Sequence, residues 1–253
     1  MPHWWRTVFF LIPAIAVYTI VLGTLSIGSS LVGGRGYFAH RCARWWSWLI
    51  LATTGVRVRV EGLERVRAGQ PCVFVANHQS IYDIPVIFAA LPHQLRIIAK
   101  ESLGRFPFLG WHLSRTGHML VDRRRPDTRA VFGWADGLTA RGLSLIVFPE
   151  GTRSRDGRTA PFKGGSFIPA MHAGLPVVPL SIVGSRHVMR KGRLTTCPGE
   201  VTLIVHEPIP VEAVEEPDLR AVRALATRVR GIVAPPVEVE ADLAVSADPP
   251  PAT

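Results

Sequence analysis

The chain has 253 residues, enough for one full domain and a short added segment. Its three cysteines, Cys42, Cys72 and Cys197, are far apart with no C-x-x-C spacing, which argues against a disulfide framework or zinc site and for inert thiols in a reducing compartment. The formal charge of +10 is uneven: residues 1–194 carry 25 basic and 9 acidic groups, residues 195–253 carry 4 and 10, so the body of the chain attracts anions. An apolar N-terminus points to lipid anions rather than nucleic acid, whose binders interleave basic and exposed aromatic residues on a soluble domain.

Residues 7–34 hold no charged side chain. A bilayer core takes about 20 apolar residues in a helix, so 8–31 is long enough to span it. Trp4 and Trp5 precede the run where an interfacial aromatic belt belongs. A cleaved signal peptide fits less well, because the run is too long and lacks a convincing small-x-small cleavage site. Only Arg6 precedes the run, while Arg35, Arg41 and Arg44 follow it, which predicts a membrane-bound chain with its main domain on the cytoplasmic face. A second apolar stretch, 45–56, is too short to span. Trp45, Trp46 and Trp48 crowd its start, so it reads as a helix in the interface, with an ordinary core helix as the alternative. Residues 1–55 therefore read as an N-terminal membrane-associated helical segment.

From position 56 the pattern changes to short strands alternating with helices. Val56–Glu61 alternates apolar and charged residues, as a half-buried strand does. The runs 72–76, 95–99, 118–121, 143–148, Val177–Val183 and 201–205 are apolar and strand-length. Helix-length segments lie at 84–91, 128–141, 165–172 and 217–232. This alternation predicts an α/β domain over 56–233, with a mixed, largely buried sheet flanked by helices. The Pro-, Ala- and acid-rich residues 234–253 read as a disordered tail.

Chemistry collects where apolar strands end. After 72–76 comes Asn77-His78-Gln79-Ser80-Ile81-Tyr82-Asp83. Pro85 lacks a backbone N–H and fits only near a helix start, so that helix begins between Ser80 and Asp83. A bend between His78 and Asp83 lets the carboxylate reach one imidazole nitrogen, fixing the tautomer and raising basicity, while the other nitrogen takes a proton from a hydroxyl. The run 143–148 ends in Phe148-Pro149-Glu150-Gly151-Thr152-Arg153-Ser154. There Gly151 permits a tight turn, Arg153 offers a planar fork matched to phosphate, and Thr152 and Ser154 add donors. The run 118–121 leads into Asp122-Arg123-Arg124-Arg125, Lys100 follows 95–99, and Lys163 is a further cation. Cations after several strands predict one basic pocket at the strand ends. Neither a G-x-S-x-G elbow nor a Walker A sequence occurs, and Gly34-Arg35-Gly36-Tyr37-Phe38-Ala39 follows no strand, so it is no dinucleotide site.

Four blocks in order carry a resemblance: Asn77, His78 and Asp83; Gly117 with Val121-Asp122-Arg123; Phe148 to Ser154 complete; and Val178-Pro179-Leu180. Over residues 55–210 the chain resembles the glycerolipid acyltransferases, most closely the lysophosphatidate (1-acylglycerol-3-phosphate) acyltransferases. One departure is His118-Met119 in the second block, where that family has apolar or small residues. The resemblance implies His78 as general base and Asp83 as its orienting partner. It implies acceptor binding by Glu150, Gly151, Thr152 and Arg153, with Arg153 on the phosphate and Arg123 and Lys100 as further phosphate contacts. Pro179 lies in a block linked to the acyl donor or to packing near the site. The implied co-substrate is an acyl thioester of coenzyme A or acyl carrier protein. No metal or other cofactor is expected, because a thioester is already activated and a hydroxyl needs only a base. Another lysophospholipid, glycerol 3-phosphate or an acylated amine lipid remains open as acceptor. A non-catalytic protein that binds anionic lipid is the alternative from another class.

Overall fold

The computed structural model describes residues 2–31, 36–122 and 128–247. Helix α1 (Pro2–Arg6), a π-helical turn at Thr7–Leu11 and helix α2 (Ile12–Leu31) form one apolar rod. Pro13 has no N–H to offer the carbonyl of Phe9, and the wider turn absorbs that missing bond. Trp4–Leu31 is long and apolar enough to cross a membrane by length and composition. Helix α3 (Tyr37–Thr54) returns alongside it. An Arg6 Nη atom donates to the Thr54 carbonyl at 2.8 Å, and Trp46 Nε1–H donates to Thr19 Oγ1 at 2.9 Å, which fixes the pair antiparallel. The helix seen in the stretch 45–56 thus begins earlier and ends sooner. Ala39, His40 and Cys42 are buried while Arg41 is exposed, so α3 is amphipathic where sequence showed only its apolar half. Gly55, at φ 77°, stops it in the left-handed region and β1 (Val56–Glu61) starts at the next residue.

The rest follows as β2 (Val73–Ala76), α4 (Asp83–Ala90), β3 (Leu95–Lys100), α5 (Leu109–Arg115), β4 (Met119–Val121), α6 (Thr128–Thr139), β5 (Ser144–Val147), α7 (Ile168–Ala173), β6 (Val177–Val183), α8 (Ser185–Val188), β7 (Gly199–Val205) and α9 (Leu219–Ala247). Among the described residues seven strands form one sheet in the order β1-β7-β6-β2-β5-β3-β4. Only β6 and β7 pair antiparallel, so the sheet is mixed as expected. Strands β6, β2, β5, β3 and β4 all run the same way, so their C-terminal ends share one edge.

Alternation along the strands divides two cores. Phe74, Ala76, Ile146 and Leu180 face α3 and α4, with Ile50, Val86 and Ile87 across from them. Val73, Val75, Leu145, Val147 and Val177 face the other way, onto Leu138 of α6, Ala170 of α7 and Val222, Ala226 and Val229 of α9. Burial of both faces explains why β2 and β5 read as unbroken apolar runs.

Helix α9 continues to Ala247, past position 233 where composition marked the start of a tail. Pro235 and Pro236 each remove a helical hydrogen bond. Compensation comes from Val233 and Val237, buried one turn apart, and from Arg230 with Glu238, whose side chains meet at 3.3 Å across the proline pair.

Candidate active site

Helix α4 starts at Asp83, within the interval set by Pro85. The loop 78–82 folds back over its first residue, so Asp83 Oδ2 accepts from His78 Nδ1–H at 2.7 Å, Gln79 N–H at 2.8 Å and Ser80 N–H at 3.0 Å. Asp83 is fully buried, and this cage fixes its carboxyl group against the imidazole. The expected bend between His78 and Asp83 is therefore real, and it is made by backbone N–H groups gripping the carboxylate. With the proton held on Nδ1, His78 Nε2 is left as the basic nitrogen; it bonds no described residue. The ring stacks on Phe148 at 4.2 Å between centroids and stays 19% exposed. Asn77 fastens the end of β2 to β6, donating to the Ile182 carbonyl at 2.9 Å and accepting from Ile182 N–H at 2.7 Å.

Glu150 lies behind His78. Its Oε1 accepts from His78 N–H at 2.7 Å and its Oε2 from Ala160 N–H at 3.1 Å. It is 4% exposed, and burial pushes its carboxyl above the usual range. Each oxygen thus accepts from a backbone N–H, and Glu150 braces the two loops against each other. Gly151 has φ 72°, a left-handed conformation that other residues rarely adopt, so the tight turn calls for glycine here. Thr152 Oγ1 accepts from Lys191 Nζ at 2.8 Å, and the same ammonium donates to the Arg153 carbonyl at 2.7 Å. Arg153 makes no side-chain hydrogen bond or ion pair among the described residues, leaving its fork open. Pro179 is buried inside β6, beside Val75 of the neighbouring strand β2. Arg123 lies outside the described residues.

His78, Lys100 and Arg153 line one cavity of about 370 Å³. It runs from the strand ends under the α2–α3 pair, walled by apolar groups such as Leu22, Trp46, Phe88, Phe108 and Leu113. That volume is in the range of a ligand pocket and far beyond a packing defect. Phe108 takes φ 59° and ψ −55°, with Leu109 N–H donating to the Pro107 carbonyl at 2.6 Å, a strained γ-turn. Its Cβ abuts Gly23, where any side chain would come within 3.1 Å, so the glycine lets α2 close the wall.

A family model described as acyltransferase matches residues 57–183. The chain belongs to the acyltransferase family. It is 35% identical over 180 residues, 69% of this chain and 51% of the relative, to a chloroplastic 1-acyl-sn-glycerol-3-phosphate acyltransferase of Brassica napus. To the human 1-acyl-sn-glycerol-3-phosphate acyltransferase beta it is 31% identical over 216 residues, 82% of this chain and 77% of that protein. The chain spans about half the length of several curated relatives it matches. Its fold superposes on the crystal structure of the 1-acyl-sn-glycerophosphate (LPA) acyltransferase PlsC from Thermotoga maritima with TM-score 0.71 and 29% identity, covering 93% of this chain and 96% of that one.

Within that family frame, two features escaped sequence reasoning. Lys191, in the loop after α8, reaches the Thr152–Arg153 turn across 39 positions, and its only sequence signal was the basic cluster of Arg190, Lys191 and Arg193. The cavity wall formed by α2 was unreadable because it depends on Gly23 meeting Phe108 and on Ser26 Oγ bonding His112 Nδ1 at 2.6 Å.

Proposed function

We propose that this protein transfers a fatty acyl group from a thioester to the 2-hydroxyl of 1-acylglycerol 3-phosphate, giving phosphatidate and a free thiol. The observation that carries the reading is the basic nitrogen of His78 opening onto an apolar cavity whose mouth also holds Lys100 and Arg153. A hydrocarbon chain fits the cavity, and a phosphate fits the two cations. The acceptor hydroxyl gives its proton to His78 Nε2 as its oxygen attacks the thioester carbonyl. Asp83 steadies the resulting imidazolium. Collapse of the tetrahedral adduct breaks the C–S bond, and the imidazolium returns the proton to the departing thiolate. The acyl group is activated from the start, so a positioned base, worth typically 10²–10⁴-fold, is the main requirement.

Membrane attachment rests on exposed apolar side chains. Trp5, Phe9, Phe10 and Leu31 are exposed on the N-terminal rod, and Ile81, Phe106 and Trp111 extend that surface onto the catalytic domain beside the cavity. The middle of α2 is docked on α5 through Gly23 and Ser26. With α2 docked on the catalytic domain in this manner, the exposed apolar side chains of the rod bring the membrane surface close to the cavity and to His78. The positive residues after the rod favour the cytoplasmic face.

The test is mass spectrometry of products from membranes given a mixed pool of lysophosphatidate, other lysophospholipids and glycerol 3-phosphate, with coenzyme A and acyl carrier protein thioesters in separate arms. Phosphatidate as the dominant product supports the proposal. Acylation of another acceptor in preference overturns the acceptor assignment, and no thioester consumption with any donor overturns the enzyme reading.

A further inference from the structure

Two imidazoles interrupt the apolar wall of the cavity, and acyl transfer at His78 uses neither. His118, just before β4, accepts on Nδ1 from the Ile97 N–H at 3.1 Å. That bond fixes the neutral tautomer, so the remaining ring proton sits on Nε2. Nε2 bonds no described residue, yet it is not among the polar atoms sealed inside the protein, and His118 is part of the cavity lining. His112 on α5 is anchored at Nδ1 by Ser26 Oγ, and its Nε2 is free in the same sense. The two ring centroids are 5.4 Å apart, so the rings are in contact and form one polar stretch of the wall. Burial and the neighbouring Arg96 guanidinium hold His112 down at about 4, and burial with His112 and Arg96 holds His118 well below its ordinary range. Both rings are therefore uncharged hydrogen-bonding groups at neutral pH.

Their depth is set by strand register. Ile98 pairs with Met119 and Lys100 with Val121, so His118 sits level with Ile97, roughly 10 Å along the strand from the sheet edge. A plain hydrocarbon against this wall would leave the two Nε2 atoms without a hydrogen-bond partner, an arrangement that costs stability. We infer that the cavity takes acyl chains bearing an oxygen function, a hydroxyl or keto group, some distance down the chain, with His118 Nε2–H donating to that oxygen and His112 flanking it. The inference rests on the acyl-pocket reading above and adds no step to the transfer chemistry.

The experiment uses the full chain in membranes and pairs of competing donors on whichever carrier supports turnover. One donor is an unsubstituted acyl chain; the other has the same length with a hydroxyl at one of a series of positions. Because both compete in one vessel, the product ratio does not depend on how much protein is folded. The wild type is expected to favour one mid-chain isomer over the plain chain by roughly two- to tenfold. His118→Leu is expected to bring that ratio to one or below while still transferring the plain chain. His118→Leu also strips Ile97 N–H of its acceptor, so His112→Leu, which leaves that bond intact, is the second variant and shifts the ratio the same way. Preference for the plain chain over every isomer in the wild type, or an unchanged ratio in both variants, overturns the inference alone. Transfer of neither donor overturns the acyl-pocket reading with it.

Discussion

The two faces of the sheet are covered by similar numbers of helices but finished differently. The face under α6, α7 and α9 is filled: Leu145, Phe167, Ala170, Val177 and Val229 are all buried against one another. The face under α2 to α5 is filled near β6 and β7 and hollow near β3, where about 370 Å³ opens beside His78. One sheet thus has a side that supplies stability and a side that gives up packing to open a cavity beside His78. Arg96, buried under the hollow side and bonded to the Leu95 carbonyl at 2.8 Å, belongs to the less economical half.

The difference between the two faces should be largest at the site. His78→Ala should lower phosphatidate formation by about 10²–10⁴-fold with little change in melting temperature, and Asp83→Asn should approach that loss through the wrong imidazole tautomer. Equal activity in either variant would remove the strand-end edge from the chemistry. Next comes packing. Leu145→Ala on the filled face should destabilise by about 2–5 kcal/mol, read from denaturant unfolding in detergent. Leu22→Trp in the hollow should leave stability nearly alone and instead slow long-chain donors relative to short ones; a large stability loss there would mean the cavity is ordinary core.

Acid should also separate the two sides, because the hollow half contains His40 and His112. Burial, with Arg96 next, lowers His40 to about 3 and His112 to about 4. Both stay neutral in the fold but ionise in the unfolded chain near pH 6.5, so protons favour unfolding. The stability they contribute is complete above about pH 6.5 and drains as pH falls toward about 4 and about 3, at up to about 1.4 kcal/mol per pH unit for each group. His40→Phe should flatten the acid limb of a melting-temperature profile; an unchanged slope would place the acid-sensitive groups elsewhere. The smallest effect is expected at Lys191, which touches the Thr152–Arg153 turn only from outside. Lys191→Met should raise the acceptor KM by roughly fivefold while moving kcat less, as loss of about one hydrogen bond implies.

Much of the filled face was readable in advance, because strands buried on both sides announce themselves as unbroken apolar runs, and Val177–Val183 matches to the residue; the alternating, half-buried Val56–Glu61 at the far edge of the sheet matches as well. The pairing of His78 with Asp83 was readable because Pro85 limits where α4 can begin. The hollow face was not. Its wall needs α2 to meet α5 across more than 80 positions, a contact written in one glycine, one serine and a γ-turn at Phe108. The part of Glu150 was equally hidden, since a carboxylate that braces two backbone N–H groups looks in sequence like one that awaits a ligand. Helix α9 outran its expected end because buried valines on one face outweigh two prolines.

The claim that joins these observations is that the acyl chain lies in the hollow of the α2–α5 face while its carbonyl meets His78. An acyl donor with a photoreactive group in mid-chain tests it directly. The account predicts cross-links on peptides from α2 and α5, around Leu22 and Leu113, that unlabelled donor suppresses. Labelling of α9 on the filled face, or labelling that excess donor does not reduce, would contradict it.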